Sequence, residues 1–147
     1  MLGNNAASKK LVESDQGVRA FPLLSDGRKN FIIGLDECIC RLTKGTSGKL
    51  LASDVMSAHE IKGSKDWVND LVEKRHFVCF FTHRPERLRK ATERWLANHG
   101  YNYDSLVMGK PVAKNYHYID DRHVQATTFG GRYSQLVRKQ HQIQVFE

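Results

Sequence analysis

Residues 77–84 read FVCFFTHR. Five apolar residues in succession, closed by a threonine, a histidine and an arginine, make the pattern of a strand covered on both faces that stops at a polar turn. The next stretch, 85–100 (PERLRKATERWLANHG), has the helical period. Pro85 suits the first helical position, Leu88, Ala91, Trp95 and Leu96 form the apolar stripe, and Gly100 ends it. Strand followed by helix is the unit of a parallel α/β sheet, and the unit recurs on either side. Residues 31–35 (FIIGL) are a short apolar run leading to Asp36. Ser64 can cap a helix over 65–75, with Trp67, Val68, Leu71 and Val72 on one face. Residues 105–108 (SLVM) make a third strand, stopped by Gly109 and Pro111, and 116–119 (YHYI) a fourth. Residues 123–129 form a short helix broken by Gly130–Gly131, before a basic C-terminal segment that ends in Val145–Phe146. The fold class expected is α/β, a doubly wound parallel sheet.

The size and composition fit one soluble domain. The chain has 147 residues, 40% hydrophobic and 27% charged, enough to bury a core without disulfides. No stretch approaches the ~18 apolar residues of a membrane span, and MLGNNAASKK at the start lacks the apolar region of a signal peptide. The expectation is a cytoplasmic protein with no membrane partner. Residues 1–30 are polar apart from VRAFPLL (18–24) and read as an extension anchored by Phe21 and Leu23–Leu24, with the domain proper over 31–147. The three cysteines, Cys38, Cys40 and Cys79, lie in or beside apolar runs. An odd number so placed reads as buried, reduced thiols, and no second Cys/His cluster completes a zinc set around Cys38-x-Cys40.

The net charge of +7 suits anionic partners, nucleic acid among them, although a solvated basic surface carries the greater weight. Basic residues concentrate in 84–94, where Arg84, Arg87, Arg89, Lys90 and Arg94 outnumber Glu86 and Glu93. The loop 43–49 (TKGTSGK) fails the P-loop frame, because position 43 is Thr and Leu50 follows the lysine.

The chemistry-bearing residues follow the strands. Parallel α/β sheets bind ligands at the carboxyl ends of their strands. Adjacent carboxylates such as Asp120–Asp121 at a strand end cannot both be cheaply buried without a cation, and Mg²⁺ is the natural hard-oxygen partner; alone, the pair is a weak signal, since Asp is common in solvated turns and at helix N-caps. Lys110, between Gly109 and Pro111, can neutralise a phosphate oxygen, or be an exposed loop lysine. Thr82 and the turn through His83 and Arg84 into a helix N-terminus suit phosphate, or Thr82 caps the turn. His117 and His123 read as packing or surface groups.

Taken together, FFTHR (80–84), ERWLANHGYNYDSLVMGKP (93–111) and YHYIDDRHVQATTF (116–129) resemble the haloacid dehalogenase superfamily of phosphohydrolases over residues 31–129. The resemblance is nearest to small, nearly capless phosphatases of the capsule-biosynthesis-like kind and to polynucleotide kinase 3′-phosphatase domains. It implies a Rossmannoid sheet with a minimal cap and a Mg²⁺-dependent phosphohydrolase. The implied substrate is a phosphomonoester, whether a small metabolite, a nucleotide or a nucleic-acid end. It implies Asp36, Thr82 and Lys110 as catalytic residues. Thr82, His83, Arg84 and Lys110 would hold the substrate, and Asp36, Asp120 and Asp121 the metal.

The first motif departs from the family's Asp-x-Asp-Gly-Thr. This chain offers Gly34-Leu35-Asp36-Glu37-Cys38-Ile39-Cys40. In one register Gly34 replaces the nucleophile and Asp36 is the acid/base. In the other Asp36 is the nucleophile and Cys38 replaces the acid/base. Glu37 stands in place of a glycine and adds a carboxylate or blocks the site. The alternative to turnover is a degenerate relative that binds a phosphorylated ligand, nucleic acid or a protein.

Overall fold

The computed structural model describes residues 21–25, 27–43 and 48–138. Residues 1–20 of the N-terminal extension, 44–47 of the Gly-rich loop, and the C-terminal segment with Val145–Phe146 lie outside the described residues.

The apolar run at the centre of the sequence is also the centre of the sheet. Strand β4 (Phe77–Phe81) lies between β1 (Asn30–Ile33) and β5 (Ser105–Val107), in the order β1-β4-β5. Both pairings are parallel, with Ile33 opposite Phe80 and Phe80 opposite Leu106. Parallel neighbours need crossovers. Helix α2 (Ser64–Glu73) lies on the first, and α3 (Arg89–Asn98) on the second after a 3₁₀ turn at Glu86–Leu88. Gly100, at φ 79°, takes the left-handed position that ends α3. Two residue pairs join β2 (Cys40–Arg41) antiparallel to β3 (His59–Glu60). Between them a five-residue helix, α1 (Ala52–Met56), packs on α3. Trp95 Nε1 donates to the Ala58 carbonyl beside it (3.1 Å).

Alternation along β4 divides the core. Val78 and Phe80 face the main cluster with Ile33, Leu35, Val68, Leu71, Trp95, Leu96 and Leu106. Phe77 and Cys79 face the other way, against Phe21, Leu24 and Val107. The Phe21 and Phe77 rings are 5.0 Å apart. Phe21 and Leu24 thus anchor the segment as the sequence suggests, but Leu23 is 101% exposed. In that second cluster, among the described residues, Phe21 and Leu24 of the 21–24 segment pack on the strands. Among the described residues no helix is long and apolar enough to cross a membrane.

Three local expectations change. Ser64 does not cap α2: Gly63, at φ 87°, is the N-cap residue, and the buried Ser64 hydroxyl donates to the Ile61 carbonyl (2.7 Å) and meets Tyr101 Oη (2.7 Å). No fourth strand forms at 116–119, and residues 111–123 are exposed throughout. Tyr-His-Tyr-Ile has the alternation of a strand but little purely apolar surface to hold it on a sheet. Its polar groups are satisfied locally, since Asp120 accepts from the Tyr118 hydroxyl (3.0 Å) and the Arg122 N–H (3.0 Å). No helix forms at 123–129, where Thr127–Thr128 and the following double glycine disfavour one. Helix α4 (Tyr133–Arg138) comes after the glycines instead.

Candidate functional site

The site is built on the carboxyl ends of β1, β4 and β5. Strand β1 ends at Ile33, and the chain then closes a tight turn. The Leu35 carbonyl accepts from the N–H groups of Cys38 (3.1 Å), Ile39 (2.7 Å) and Cys40 (3.2 Å). Glu37 sits in this turn at φ 66°, a left-handed conformation that glycine adopts more readily than a residue with a Cβ. Its carboxylate pairs with Arg41 at the surface (3.1 Å), so it neither joins Asp36 nor closes the site.

Asp36 is held by Arg84. Arg84 Nε donates to Asp36 Oδ2 (3.1 Å) and Nη2 to Oδ1 (2.6 Å), a bidentate fork. Nη1 donates to Thr92 Oγ1 (3.0 Å), and Nη2 also reaches Cys40 Sγ (3.4 Å). Thr92 in turn donates to the Leu88 carbonyl (2.8 Å). Arg84 is 1% exposed. Burial works against its charge, but the hydrogen bonds and charge of Asp36 outweigh it and raise the Arg84 pKa. Burial pushes the Cys40 thiol up to about 11, with Asp36 adding to the rise and Arg84 opposing it. Arg84, expected to touch substrate, is therefore an internal counter-ion whose fork is closed on Asp36.

Thr82 and Lys110 are brought together by the extension of the β4–β5 pairing. The Thr82 N–H donates to Val107 O (3.0 Å), the Lys110 N–H to Thr82 O (2.9 Å), and the Gly109 N–H to Arg84 O (3.0 Å). Gly109, at φ 78°, makes the turn that permits this. The buried Thr82 hydroxyl accepts the Arg84 N–H (3.2 Å), which caps the turn and leaves its own proton to donate. The Lys110 ammonium lies over the Phe81 and Tyr116 rings, 5.8 and 5.5 Å from their centres. Its field also reaches Cys38: burial raises the pKa of this half-buried thiol, and Lys110 is the main opposing influence. Tyr133 on α4 clamps the same turn by donating to the Cys38 carbonyl (2.5 Å). Cys40 and Cys79 are buried, and Cys38 is half-buried.

The remaining candidates stand apart. His83, His117 and His123 are at the surface. Asp120 and Asp121 are exposed, and among the described residues no three His, Cys, Asp or Glu side chains are grouped to hold a metal ion. Asp36, Asp120 and Asp121 thus do not form the metal set that the resemblance implies. As arranged, the donor set does not fit a divalent cation: both Asp36 oxygens already accept from a guanidinium, and the other two carboxylates lie in solvent. The basic run 84–94 is also thinner than it reads. Arg84 is buried, Arg87 donates to Leu50 O (2.7 Å), and Arg89 is tied to Glu86 (2.6 Å) and Leu106 O (2.9 Å).

Sequence reasoning missed Cys40, Thr92 and Tyr133 as supports of this site. An arginine just beyond one apolar strand, with a carboxylate just beyond its neighbour, was the available signal for the pair itself.

No protein-family model matches the chain, and no curated protein matches it. Among solved structures, the crystal structure of an MCSG target from Vibrio cholerae is similar at 22% identity, covering 66% of this chain and 82% of that one with a TM-score of 0.44.

Proposed function

We propose that this chain is a haloacid-dehalogenase-like protein that binds a phosphorylated ligand at the carboxyl ends of β1, β4 and β5 without turning it over. The observation that carries the reading is the bidentate Asp36–Arg84 pair at 2.6 and 3.1 Å. An attacking carboxylate must present a free oxygen to phosphorus, and an acid must carry a proton. A carboxylate forked onto a buried guanidinium is poorly placed for either. Thr82 and Lys110 keep what an anion needs, a hydroxyl proton and an ammonium on adjacent strand ends. Because β1 stops at Ile33, Gly34 is the first residue beyond the strand, which favours the register in which Gly34 stands at the nucleophile position.

The second reading is a Mg²⁺-dependent phosphohydrolase with Asp36 as nucleophile. It is favoured by the same convergence of Asp36, Thr82 and Lys110 on one sheet edge.

The test is binding and turnover on one sample. Orthophosphate, p-nitrophenyl phosphate and 3′- and 5′-phosphorylated oligonucleotides are titrated by NMR or calorimetry, and hydrolysis is followed in parallel. Binding without turnover is expected. Lys110→Ala should weaken binding about tenfold, the equivalent of about 1.4 kcal/mol for a charge-assisted hydrogen bond, and Thr82→Val somewhat less. Gly34→Asp should fold, since a Cβ at Gly34 meets only Cys38 Sγ, at 3.4 Å, and should remain inactive while Asp36 stays paired. Hydrolysis by the wild type that Asp36→Asn abolishes would overturn the reading in favour of the second.

A further inference from the structure

We propose that Arg84 stands in for the divalent cation at this site, so that anion binding at the strand ends is metal-independent. The inference rests on the phosphate-binding reading above and concerns how that site is charged.

In a metal-dependent phosphate site, the dication neutralises the aspartate cluster and lends positive potential to the incoming phosphate. Here one carboxylate remains at the strand ends, Asp36, with its side chain 13% exposed, and a guanidinium side chain 2% exposed neutralises it. Asp36 Oδ1 accepts from both Arg84 Nη2 (2.6 Å) and the Cys40 thiol (3.9 Å); Oδ2, which accepts from Arg84 Nε, has a lone pair to spare, but a cation using it would stand beside a buried positive charge. Repulsion at that range is strong in a medium of low dielectric. Displacing Arg84 instead would leave the guanidinium buried without its partner, with Thr92 Oγ1 and Cys40 Sγ as its remaining contacts. Mg²⁺ also holds its octahedral oxygen shell tightly and gains most from carboxylates that converge on it, and Asp120 and Asp121 do not converge with Asp36.

Arg84 is equipped for a permanent role. Its four hydrogen bonds reach the turn after β1, the start of β2, and α3. The guanidinium therefore joins the three elements around the strand ends as a metal would, but through fixed covalent attachment to the chain. Among the described residues at these strand ends, Lys110 then supplies the charge that meets a ligand, across the turn from this neutralised pair.

The experiment uses the wild-type chain in EDTA and in millimolar MgCl₂ at matched ionic strength. Thermal midpoints should coincide in the two buffers, and amide NMR spectra recorded with sub-stoichiometric Mn²⁺ should show no selective broadening around Asp36. Orthophosphate and p-nitrophenyl phosphate should bind with affinities that agree within about twofold in the two buffers. A Mg²⁺-dependent rise in midpoint that Asp36→Asn removes would overturn the proposal. So would broadening centred on Asp36, or phosphate binding that tightens tenfold or more with Mg²⁺. If neither anion binds in either buffer while the midpoints coincide and Mn²⁺ leaves Asp36 unbroadened, the phosphate reading fails and the metal-independence of Asp36 stands.

Discussion

Asp36 and Arg84 are 48 residues apart and meet because β1 and β4 are parallel neighbours whose ends align. The pair carries a large share of local stability, though not because ion pairs are strong in general. Each partner has been taken out of water, so each depends on the other. Removing one leaves an uncompensated buried charge, at a cost of about 3–5 kcal/mol. Replacing both by neutral groups of similar shape costs less. Arg84→Met should therefore lower the urea midpoint sharply, and Asp36→Asn should do the same. The double variant should be more stable than the sum of the two losses requires, with a coupling of at least about 1 kcal/mol. Strict additivity in a double-mutant cycle would mean that the fork does not hold in solution. Arg84→Lys should behave more like the Met variant than like the wild type, since an ammonium cannot serve Asp36 in two places and reach Thr92 and Cys40 as well. From the sequence, Arg84 was visible as a residue of the site, but its role was not. An arginine after Thr-His looks the same whether it points at a ligand or back into the core, and the choice depends on Thr92 and Cys40, which no spacing rule connects to it.

At the scale of elements, β4 was the most legible part of the chain. Five adjacent apolar residues are stable as a strand only where both faces are covered, and four of the five are buried. Helix α3 was nearly as clear, because Leu88, Trp95 and Leu96 repeat at helical spacing and all end in the core. The elements that could not be read are the short ones. Two-residue strands such as β2 and β3 have no period, and α1 exists by packing Val55 inward rather than by propensity. The start of the β1–β4 pair holds a further device of this kind. His76 Nδ1 accepts the Lys29 N–H (2.9 Å), and its ring lies edge-on to Phe31. Accepting at Nδ1 requires a neutral ring. Burial lowers the His76 pKa, and the charges of Lys29, Lys74 and Arg28 lower it further. With the folded value below the unfolded one, the unfolded chain binds more protons in the window between them, so stability rises with pH there. The contribution is complete above the unfolded value of ~6.5 and is lost as pH falls through the folded value. Urea midpoints of the wild type should therefore drop between pH ~7.5 and ~5, and His76→Phe, which keeps the ring and loses the acceptor, should show a flatter profile. Equal slopes in the two proteins would place the proton uptake on another group.

At the scale of the whole molecule, the sheet has two faces that are covered differently. Helices α2 and α3 contribute to the main cluster, together with Leu35, Ile39 and Tyr133. Phe77 and Cys79 instead meet Phe21, Leu24 and Val107. Phe21 and Leu24 of the N-terminal segment are thus part of the fold, even though polar residues surround them in the sequence. A period of two or of 3.6 needs more residues than this segment has, so its burial was legible only as two apolar side chains in a polar context. The arrangement makes a consequence that can be measured through sulfur. Cys79 is a buried cysteine whose cover includes Phe21 and Leu24. Phe21→Ala removes the ring that packs 5.0 Å from Phe77 and should cost about 1–3 kcal/mol, below the value for a fully buried phenylalanine because Phe21 is only partly buried. The loss should be local before it is global. Opening the 21–24 segment uncovers Cys79 while leaving Cys40 shielded beside Arg84 and Asp36 on the other side of the sheet. Mass-resolved alkylation under native conditions should therefore show Cys79 labelled faster in Phe21→Ala than in the wild type, with Cys40 unchanged. If Cys79 and Cys40 accelerate together, the segment is not a separate cover but belongs to a single cooperative unit with the strand ends, and any ligand that tightens the site would then protect Cys79 as well.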